Sequence, residues 1–182
     1  VYNNDILKID FESKMKENSI IFGNLPYNIS TQILVKFIKV NPWPPKFKKL
    51  IFMFQKEVGE KIIAKLGDKN YSRLSIITRS RLKIKNYFYV SKNCFFPKPK
   101  VDSIVIEFVP IVRKDLCFKS IETLEFITNI FFSSKRKMIN KSVKKIFTKN
   151  YNNVVKDLDV RLRPSEIKPE IYYQITELFE NN

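Results

Sequence analysis

One stretch, residues 20–31, constrains this chain more than any other, because it joins two regular elements through a single short turn. The apolar residues 20–22 are followed by the polar and aromatic segment 23–28. Apolar residues then recur at helical spacing, at Ile33, Leu34, Phe37 and Ile38. This order predicts a buried strand, a tight turn and a helix that is capped by Ser30 or Thr31.

The turn carries chemical groups that suit a flat ligand with an exocyclic amine, such as a nucleobase. Pro26 lacks an amide hydrogen and restricts the conformation of Leu25, so the turn is stiff. Asn24 supplies a hydrogen-bond acceptor and a donor, and Tyr27 supplies an aromatic face. Ligands of open α/β sheets bind beyond the carboxyl ends of the strands, where these residues are expected. On physical grounds alone a purely structural turn is the simpler interpretation, because Asn and Pro are common in turns.

The charge balance favours an anionic partner. The chain has 182 residues and a formal net charge of +16, from 34 Lys and Arg against 18 Asp and Glu. Such an excess indicates nucleic acid most simply, although a chain rich in Ile, Lys and Asn also carries lysine as plain solvated surface.

Several function classes are disfavoured by composition. Histidine is absent, which removes the commonest acid–base group and metal ligand. Cys94 and Cys117 show neither metal-ligand spacing nor a disulfide pattern, which fits a reduced, cytoplasmic setting. No apolar run approaches the roughly 20 residues of a membrane span. We therefore expect neither a metal nor a membrane partner.

Strand and helix signals alternate up to about residue 110. The apolar run 50–54 predicts a strand buried on both faces. Residues 57–66, followed by Gly67, and residues 71–81 predict helices. Residues 83–90 and 103–109 alternate and predict two mutually antiparallel strands.

Beyond about residue 112 the pattern is helical. One apolar stripe contains Ile121, Leu124, Ile127, Ile130 and Phe131. A second helix has a basic face formed by Lys137, Lys141, Lys144 and Lys145. A last stripe contains Ile171, Ile175, Leu178 and Phe179. These stripes predict a small helical domain, and the basic face is either solvated surface or a contact for phosphates.

Four segments, in order along the chain, resemble the motifs of one enzyme family. Residues 24–27, Asn-Leu-Pro-Tyr, resemble the (Asn/Asp)-Pro-Pro-(Tyr/Phe) motif of amino-group methyltransferases that use S-adenosylmethionine. Residues 4–11 resemble the acidic segment before it, and residues 95–103 resemble F-x-P-x-P-K-V-D-S. Residues 132–139 resemble the F-x-x-[KR]-R-K segment. The sequence is thus similar to the small-subunit ribosomal RNA adenine dimethyltransferases, the KsgA family.

The resemblance implies a catalytic turn made of Asn24, Leu25, Pro26 and Tyr27. The Asn24 side-chain oxygen and the Leu25 carbonyl would accept the hydrogens of an adenine amine. Tyr27 and Phe95 would stack on the two faces of the base.

Further site residues follow from the same resemblance. Asp5 and Asn24 would contact the cofactor, S-adenosylmethionine, and Asp5 also suits a simple turn cap. Phe96 competes with Phe95 for the stacking role. RNA contacts are expected from Lys98, Lys100, Lys135, Arg136, Lys137 and Lys141.

The implied fold is α/β, with the back half of a Rossmann-like class I methyltransferase sheet in residues 1–115. An all-helical RNA-binding domain is expected in residues 116–182. The glycines Gly23, Gly59 and Gly67 form no cofactor-binding G-x-G loop. By resemblance that loop is expected to precede Val1, so the segment alone is expected to be inactive. It is also expected to expose a strand edge and apolar faces, and hence to aggregate or to pair with a second copy.

The implied function is dimethylation of adjacent adenosines in small-subunit ribosomal RNA, on an immature small ribosomal subunit. Three alternatives remain open. The first is a non-catalytic RNA-binding or assembly factor of the same fold, and the second is a large-subunit ribosomal RNA adenine methyltransferase of the macrolide-resistance type. A DNA adenine methyltransferase is the third, and the basic helical tail disfavours it. Leu25 and residues 101–103 and 134–137 favour the small-subunit enzyme.

Overall fold

The chain divides into two compact units, each built from two segments. The computed structural model describes residues 3–113, 116, 118–147 and 158–181. The first unit comprises Val1–Ile63 and Arg81–Val112, and the second comprises Ala64–Ser80 and Arg113–Asn182. The sequence also predicts the tail of a strand at Val1 and Tyr2, but these residues and Cys117 lie outside the described residues.

A mixed sheet with the strand order β1-β2-β4-β3 forms the centre of the first unit. Its strands are β1 (Ser19–Asn24), β2 (Phe47–Gln55), β3 (Leu82–Val90) and β4 (Ser103–Pro110). β1 runs parallel to β2, whereas β4 runs antiparallel to both β2 and β3. The predicted α/β sheet and its antiparallel closing pair are confirmed.

The described residues of the first unit include the α-helices α1 (Phe11–Lys14), α2 (Ser30–Ile38) and α3 (Lys56–Ile63). The prediction that Ser30 or Thr31 caps α2 is wrong. The N-cap residue is Ile29, which makes no side-chain cap. The Ser30 hydroxyl instead donates to the carbonyl of Tyr27 at 3.1 Å, because that carbonyl lies one helical turn before it.

One face of the sheet is filled by aromatic rings. Phe37 of α2 lies 5.8 Å from Phe47 and 5.3 Å from Phe52, measured between ring centroids. The Phe37 ring also stacks on Phe11 at 4.3 Å, which fixes α1 against α2. This face is therefore a closely packed core beneath α2.

The opposite face of the sheet is open in the part of the chain that the structure describes. Phe22 of β1 is 72% exposed and Phe88 of β3 is 58% exposed. Ile51 and Met53 are only partly buried, so the prediction that β2 is buried on both faces is wrong. Within the described residues β1 forms one edge of the sheet, which agrees with the expected open strand edge.

The close approach of α3 to β4 depends on a glycine. A Cβ atom at Gly59 would lie 1.9 Å from the Cγ2 atom of Ile104, far inside contact distance. Any side chain at this position would force the helix off the strand. The start of α3 is thereby held close to the ends of β2 and β4.

The second unit is helical and contains most of α4 (Arg73–Arg81), with α5 (Ile121–Phe132), α6 (Asn140–Ile146) and α7 (Pro169–Glu180). Tyrosine hydroxyl groups hold its two segments together. Tyr71 donates to the carbonyl of Ile167 at 3.0 Å, and Tyr173 donates to that of Ile76 at 3.1 Å. Residues 64–80, which the sequence assigned to the first domain, therefore pack with the helices. None of the described helices has the length and apolarity to cross a membrane.

The buried face of α7 differs from the predicted stripe. Its buried residues are Tyr172, Tyr173, Ile175 and Thr176, whereas Leu178 is exposed. The Tyr172 hydroxyl donates to the carbonyl of Pro164 at 2.7 Å, and burial raises the pKa of Tyr172. Burial of these tyrosines is tolerated because each hydroxyl has an acceptor.

Candidate active site

The Asn24–Tyr27 turn lies at the carboxyl end of β1, and contacts with the core and within the turn fix its position. A Cβ atom at Gly23 would lie 2.7 Å from Leu25 Cδ2, so only glycine lets the Leu25 side chain fold back into the core. The amide of Ile29 donates to the carbonyl of Pro26 at 3.1 Å and closes the turn. Asn24 and Pro26 remain exposed, with the Asn24 carboxamide at the end of the strand.

Tyr27 is anchored at its hydroxyl group. The Tyr27 Oη and Ser103 Oγ atoms lie 2.8 Å apart, and Ser103 is fully buried as the first residue of β4. Both neighbours of Ser103 in the sheet, Gln55 and Val90, are strand ends. The ring of Tyr27 is therefore held by the sheet while its side chain stays partly exposed.

Asp102 fixes the loop that carries Phe95. Its carboxylate accepts the amide hydrogen of Lys92 at 3.0 Å, and its carbonyl accepts that of Lys56 at 2.9 Å. One residue thus joins a short 3₁₀ turn, Lys92–Cys94, to the start of α3. Asp102 and Ser103 lie in the V-D-S part of the family motif at residues 95–103, but the sequence did not predict either of them as a site residue. The sequence signal that could have identified them is a pair of polar residues at the start of an apolar strand.

The two phenylalanines of this loop differ in environment. Phe95 follows the 3₁₀ turn and is partly buried, whereas Phe96 is fully exposed to solvent. A partly buried ring has a defined position, as a stacking residue requires. The stacking role of Phe95 remains a prediction.

Asp5 acts as the turn cap that its sequence context suggested. Its carboxylate accepts the amide hydrogen of Leu7 at 2.9 Å, and its carbonyl accepts that of Lys8 at 2.9 Å. Lys36 of α2 donates to the carbonyl of Leu7 at 2.5 Å, which ties this segment to the core. The side chain of Asp5 is exposed, and its contact with a cofactor remains a prediction.

The predicted RNA-binding residues fall into two groups. The exposed ones are Lys98, Lys100, Arg136, Lys137 and Lys141. Lys135 differs, because its ammonium group donates to the carbonyls of Lys69 at 3.0 Å and Tyr71 at 2.8 Å. These bonds favour a structural role for Lys135 within the second unit. Among the described residues, no cluster of three or more His, Cys, Asp or Glu is arranged to hold a metal ion.

The fold and the turn define a class of protein, the Rossmann-like α/β methyltransferases. A dimethyladenosine transferase from Plasmodium falciparum is similar in structure, with a TM-score of 0.74 and 25% identity. The match covers 98% of this chain and 70% of that protein. The 23S rRNA methyltransferase ErmE has a TM-score of 0.60 and 20% identity, covering 98% of this chain and 71% of that one, and supports the fold alone.

The family follows from the sequence comparisons. The family model for ribosomal RNA adenine dimethylase matches residues 1–181. Ribosomal RNA small subunit methyltransferase A from Pelagibacter ubique is 38% identical over 187 residues, covering 100% of this chain and 69% of that protein. The proteins of that name from Malacoplasma penetrans and Rhizobium etli are 38% and 41% identical, over 96% and 79% of this chain.

The chain belongs to the ribosomal RNA adenine dimethylase family, which confirms the resemblance seen in its four motifs. It spans 69%, 64% and 52% of the lengths of these three curated relatives.

We expect Ser103 to act as a positioning residue through Tyr27. The Ser103→Ala variant should methylate adenine about fivefold more slowly, because a hydrogen bond of this kind is worth about 1 kcal/mol. Single-turnover methylation measures the effect. The Tyr27→Phe variant should lose a similar factor, and the double variant should lose little more than either one. Independent, multiplying losses would show that the bond does not position the ring.

Proposed function

We propose that this protein dimethylates the exocyclic amines of adjacent adenosines in small-subunit (16S) ribosomal RNA. The methyl donor is S-adenosylmethionine, and the partner is an immature small ribosomal subunit in the cytoplasm. The relatives named small subunit methyltransferase A, together with the dimethyladenosine transferase, support this function over the large-subunit and non-catalytic alternatives. The observation that carries the proposal is the strand-end turn, in which Tyr27 is anchored by Ser103 beside an exposed Asn24.

Two of the predicted cofactor residues carry groups that suit a nucleoside cofactor. Asn24 offers a carboxamide and Asp5 offers a carboxylate, and both side chains are exposed. Such groups accept hydrogen bonds from an adenine amine or a ribose hydroxyl. When bound, S-adenosylmethionine supplies a methyl group whose bond to sulfur breaks as the amine nitrogen bonds to carbon and then loses a proton to solvent.

The chain's own residues make the amine a better nucleophile. In free adenine the nitrogen lone pair is delocalised into the ring. The Asn24 side-chain oxygen and the Leu25 carbonyl accept the two amine hydrogens, which favours a tetrahedral nitrogen with a directed lone pair. Since this requires hydrogen-bond acceptors and no strong base, the absence of histidine from the sequence poses no obstacle.

Aromatic stacking offsets the cost of taking the base out of the RNA. Removing a base from its stack costs a few kcal/mol, and stacking on a protein ring returns about 1–3 kcal/mol per base. Because Ser103 already holds Tyr27, little further ordering is needed when the base binds. Phe95 covers the second face of the base in this proposal.

The helical unit contributes phosphate contacts. Arg136, Lys137 and Lys141 are exposed on this unit. Cationic side chains release counterions from RNA, so binding should weaken as the salt concentration rises. These residues, with Lys98 and Lys100 of the first unit, hold the RNA without reading its sequence.

The test is methyl incorporation by the intact protein. Undermethylated small ribosomal subunits and labelled S-adenosylmethionine are incubated with the wild type, Tyr27→Ala and Tyr27→Phe. We expect strong labelling of adenine by the wild type and a roughly 10- to 100-fold loss in Tyr27→Ala, since its stacking face is gone. Tyr27→Phe keeps that face and should lose only about fivefold, because it lacks the hydrogen bond to Ser103.

Two other results would overturn the proposal. Absence of adenine labelling by the wild type, with RNA binding retained, would leave a non-catalytic binding or assembly factor. Labelling confined to large-subunit RNA would indicate the other methyltransferase class.

A further inference from the structure

Two tyrosines of β3 are exposed side by side on one face of the sheet. Tyr87 is 45% exposed and Tyr89 is 51% exposed. Their ring centroids lie 6.1 Å apart, with the ring planes at 86°. Tyr89 pairs with Ile104, the residue that α3 contacts through Gly59, so both rings lie on the α3 side of the sheet.

Positively charged side chains lie near these two tyrosine rings. The Lys56 ammonium lies 5.6 Å from the Tyr89 ring centroid. Lys56 also lines a cavity of about 360 Å³, together with Lys92 and Lys100. Phosphate groups are the natural counterions for such a cluster next to exposed rings.

The acidic residues of the same cavity are largely engaged within the protein. They are Glu57, Glu60 and Asp102. Glu57 pairs with Lys61 at 2.7 Å, which lowers its pKa, and the Asp102 carboxylate accepts the Lys92 amide. Partial burial, and after it the nearby Glu60 carboxylate, raise the pKa of Tyr89.

The edge of β3 is protected against pairing with another strand. The register shifts between Ile84 and Asn86, so the edge is interrupted by a bulge at Lys85. The Asn86 side chain accepts the amide hydrogen of Tyr87 at 2.8 Å. Lys83 and Lys85 are exposed on this strand, as is usual for edges that avoid aggregation. Strand addition therefore does not explain the exposed rings.

The tyrosine pair lies towards the same end of the sheet as the candidate active site. Ser103, which anchors Tyr27, pairs with Val90 in the sheet. Tyr89 directly precedes Val90 in the chain. Side chains alternate along a strand, so the Tyr87 and Tyr89 rings lie on the face opposite to the Ser103 side chain. An RNA strand with one base at Tyr27 therefore reaches these rings by passing around the adjoining ends of β3 and β4.

We propose that Tyr87, Tyr89 and Lys56 form a platform that binds the single-stranded nucleotides flanking the target adenosine. Bases contact the two rings, and the phosphates between them lie near Lys92 and Lys100. Stacking of this kind is tolerant of sequence because every base has an aromatic face. The platform rests on the proposed function, since it locates the RNA next to the base that is methylated.

The test compares RNA affinity between variants of the intact protein. The probe is a fluorescent RNA hairpin with two adjacent adenosines in its loop, followed by anisotropy. The double variant Tyr87→Leu/Tyr89→Leu keeps apolar bulk but removes both rings. The matched control is Phe88→Leu, which changes an exposed ring on the opposite face of the same strand.

We expect the double variant to bind the hairpin at least tenfold more weakly, with an unchanged melting temperature, while Phe88→Leu binds as the wild type does. KM for methylation should rise with kcat nearly unchanged. Lys56→Gln should lower the slope of log Kd against log salt by about one.

The remaining outcomes separate the platform from the proposed function. Equal affinity of the double variant and Phe88→Leu would overturn the platform even if the wild type methylates adenine. Normal hairpin binding with weakened binding to immature small subunits would overturn it in favour of a protein contact. A tenfold loss of affinity without methylation by the wild type would support the platform and reject the enzyme.

Discussion

The Asn24→Ala variant is expected to methylate adenine at least about 100-fold more slowly than the wild type, with nearly unchanged affinity for RNA. In the proposed mechanism the amide oxygen of Asn24 acts on the amine as it becomes tetrahedral, and removal of one such preorganised group costs roughly 100- to 1,000-fold in rate. In the same proposal RNA binding relies on the aromatic rings and lysines, which the variant retains. Single-turnover labelling and RNA anisotropy on the same preparations separate the two quantities.

Two controls make the Asn24 result specific. Asn28→Ala removes another exposed asparagine, four residues later and outside the proposed catalytic contacts, and should leave the rate unchanged. Asn24→Asp retains an oxygen acceptor and should keep more activity than Asn24→Ala. If Asn24→Ala lost affinity for RNA in proportion to its rate, the residue would bind the substrate without activating the amine.

The Phe37→Ala variant is expected to lower the free energy of unfolding by about 3–5 kcal/mol. Phe37 is buried and contacts Phe11, Phe47 and Phe52, so truncation leaves a cavity between α2 and the sheet. Urea unfolding monitored by circular dichroism measures the change. The Phe37→Leu variant fills much of the cavity and should lose less than half as much.

The same substitution tests how the Asp5 segment is held. Phe11 stacks on Phe37, and Lys36 donates to the carbonyl of Leu7, so both contacts fasten the segment to α2. We expect Phe37→Ala to increase hydrogen exchange in residues 5–14 more than in β4. A loss of protection distributed evenly over the first unit would contradict this linkage.

Local sequence patterns were sufficient to predict several structural features, because those features depend on residues that are close together in the sequence. The strand before Asn24, the helix after it and the antiparallel pair β3–β4 follow from apolar spacing and turn residues. The four motifs were sufficient for the family, since their order and spacing survive in this sequence. The open edge at β1 also agrees with the sequence-based expectation.

Other features depend on contacts between distant parts of the chain. The bond between Tyr27 and Ser103 joins residues 76 positions apart, and no local pattern indicates it. Residues 64–80 pack with the second unit because Tyr71 and Ile76 find partners near the end of the chain. The face of α7 was predicted incorrectly because apolar spacing ignores tyrosines whose hydroxyls find buried acceptors.

The sequence by itself determined the family, the α/β class and the chemical groups of the strand-end turn, because these are properties of residue order and local conformation. Only the tertiary structure decided which side chains are held by contacts within the protein and which are exposed to a ligand. It shows Tyr27 anchored, Lys135 engaged by two carbonyls, and Tyr87 and Tyr89 exposed beside Lys56. The physical reason is that a side chain's hydrogen-bond partners and its exposure depend on the residues that folding brings next to it.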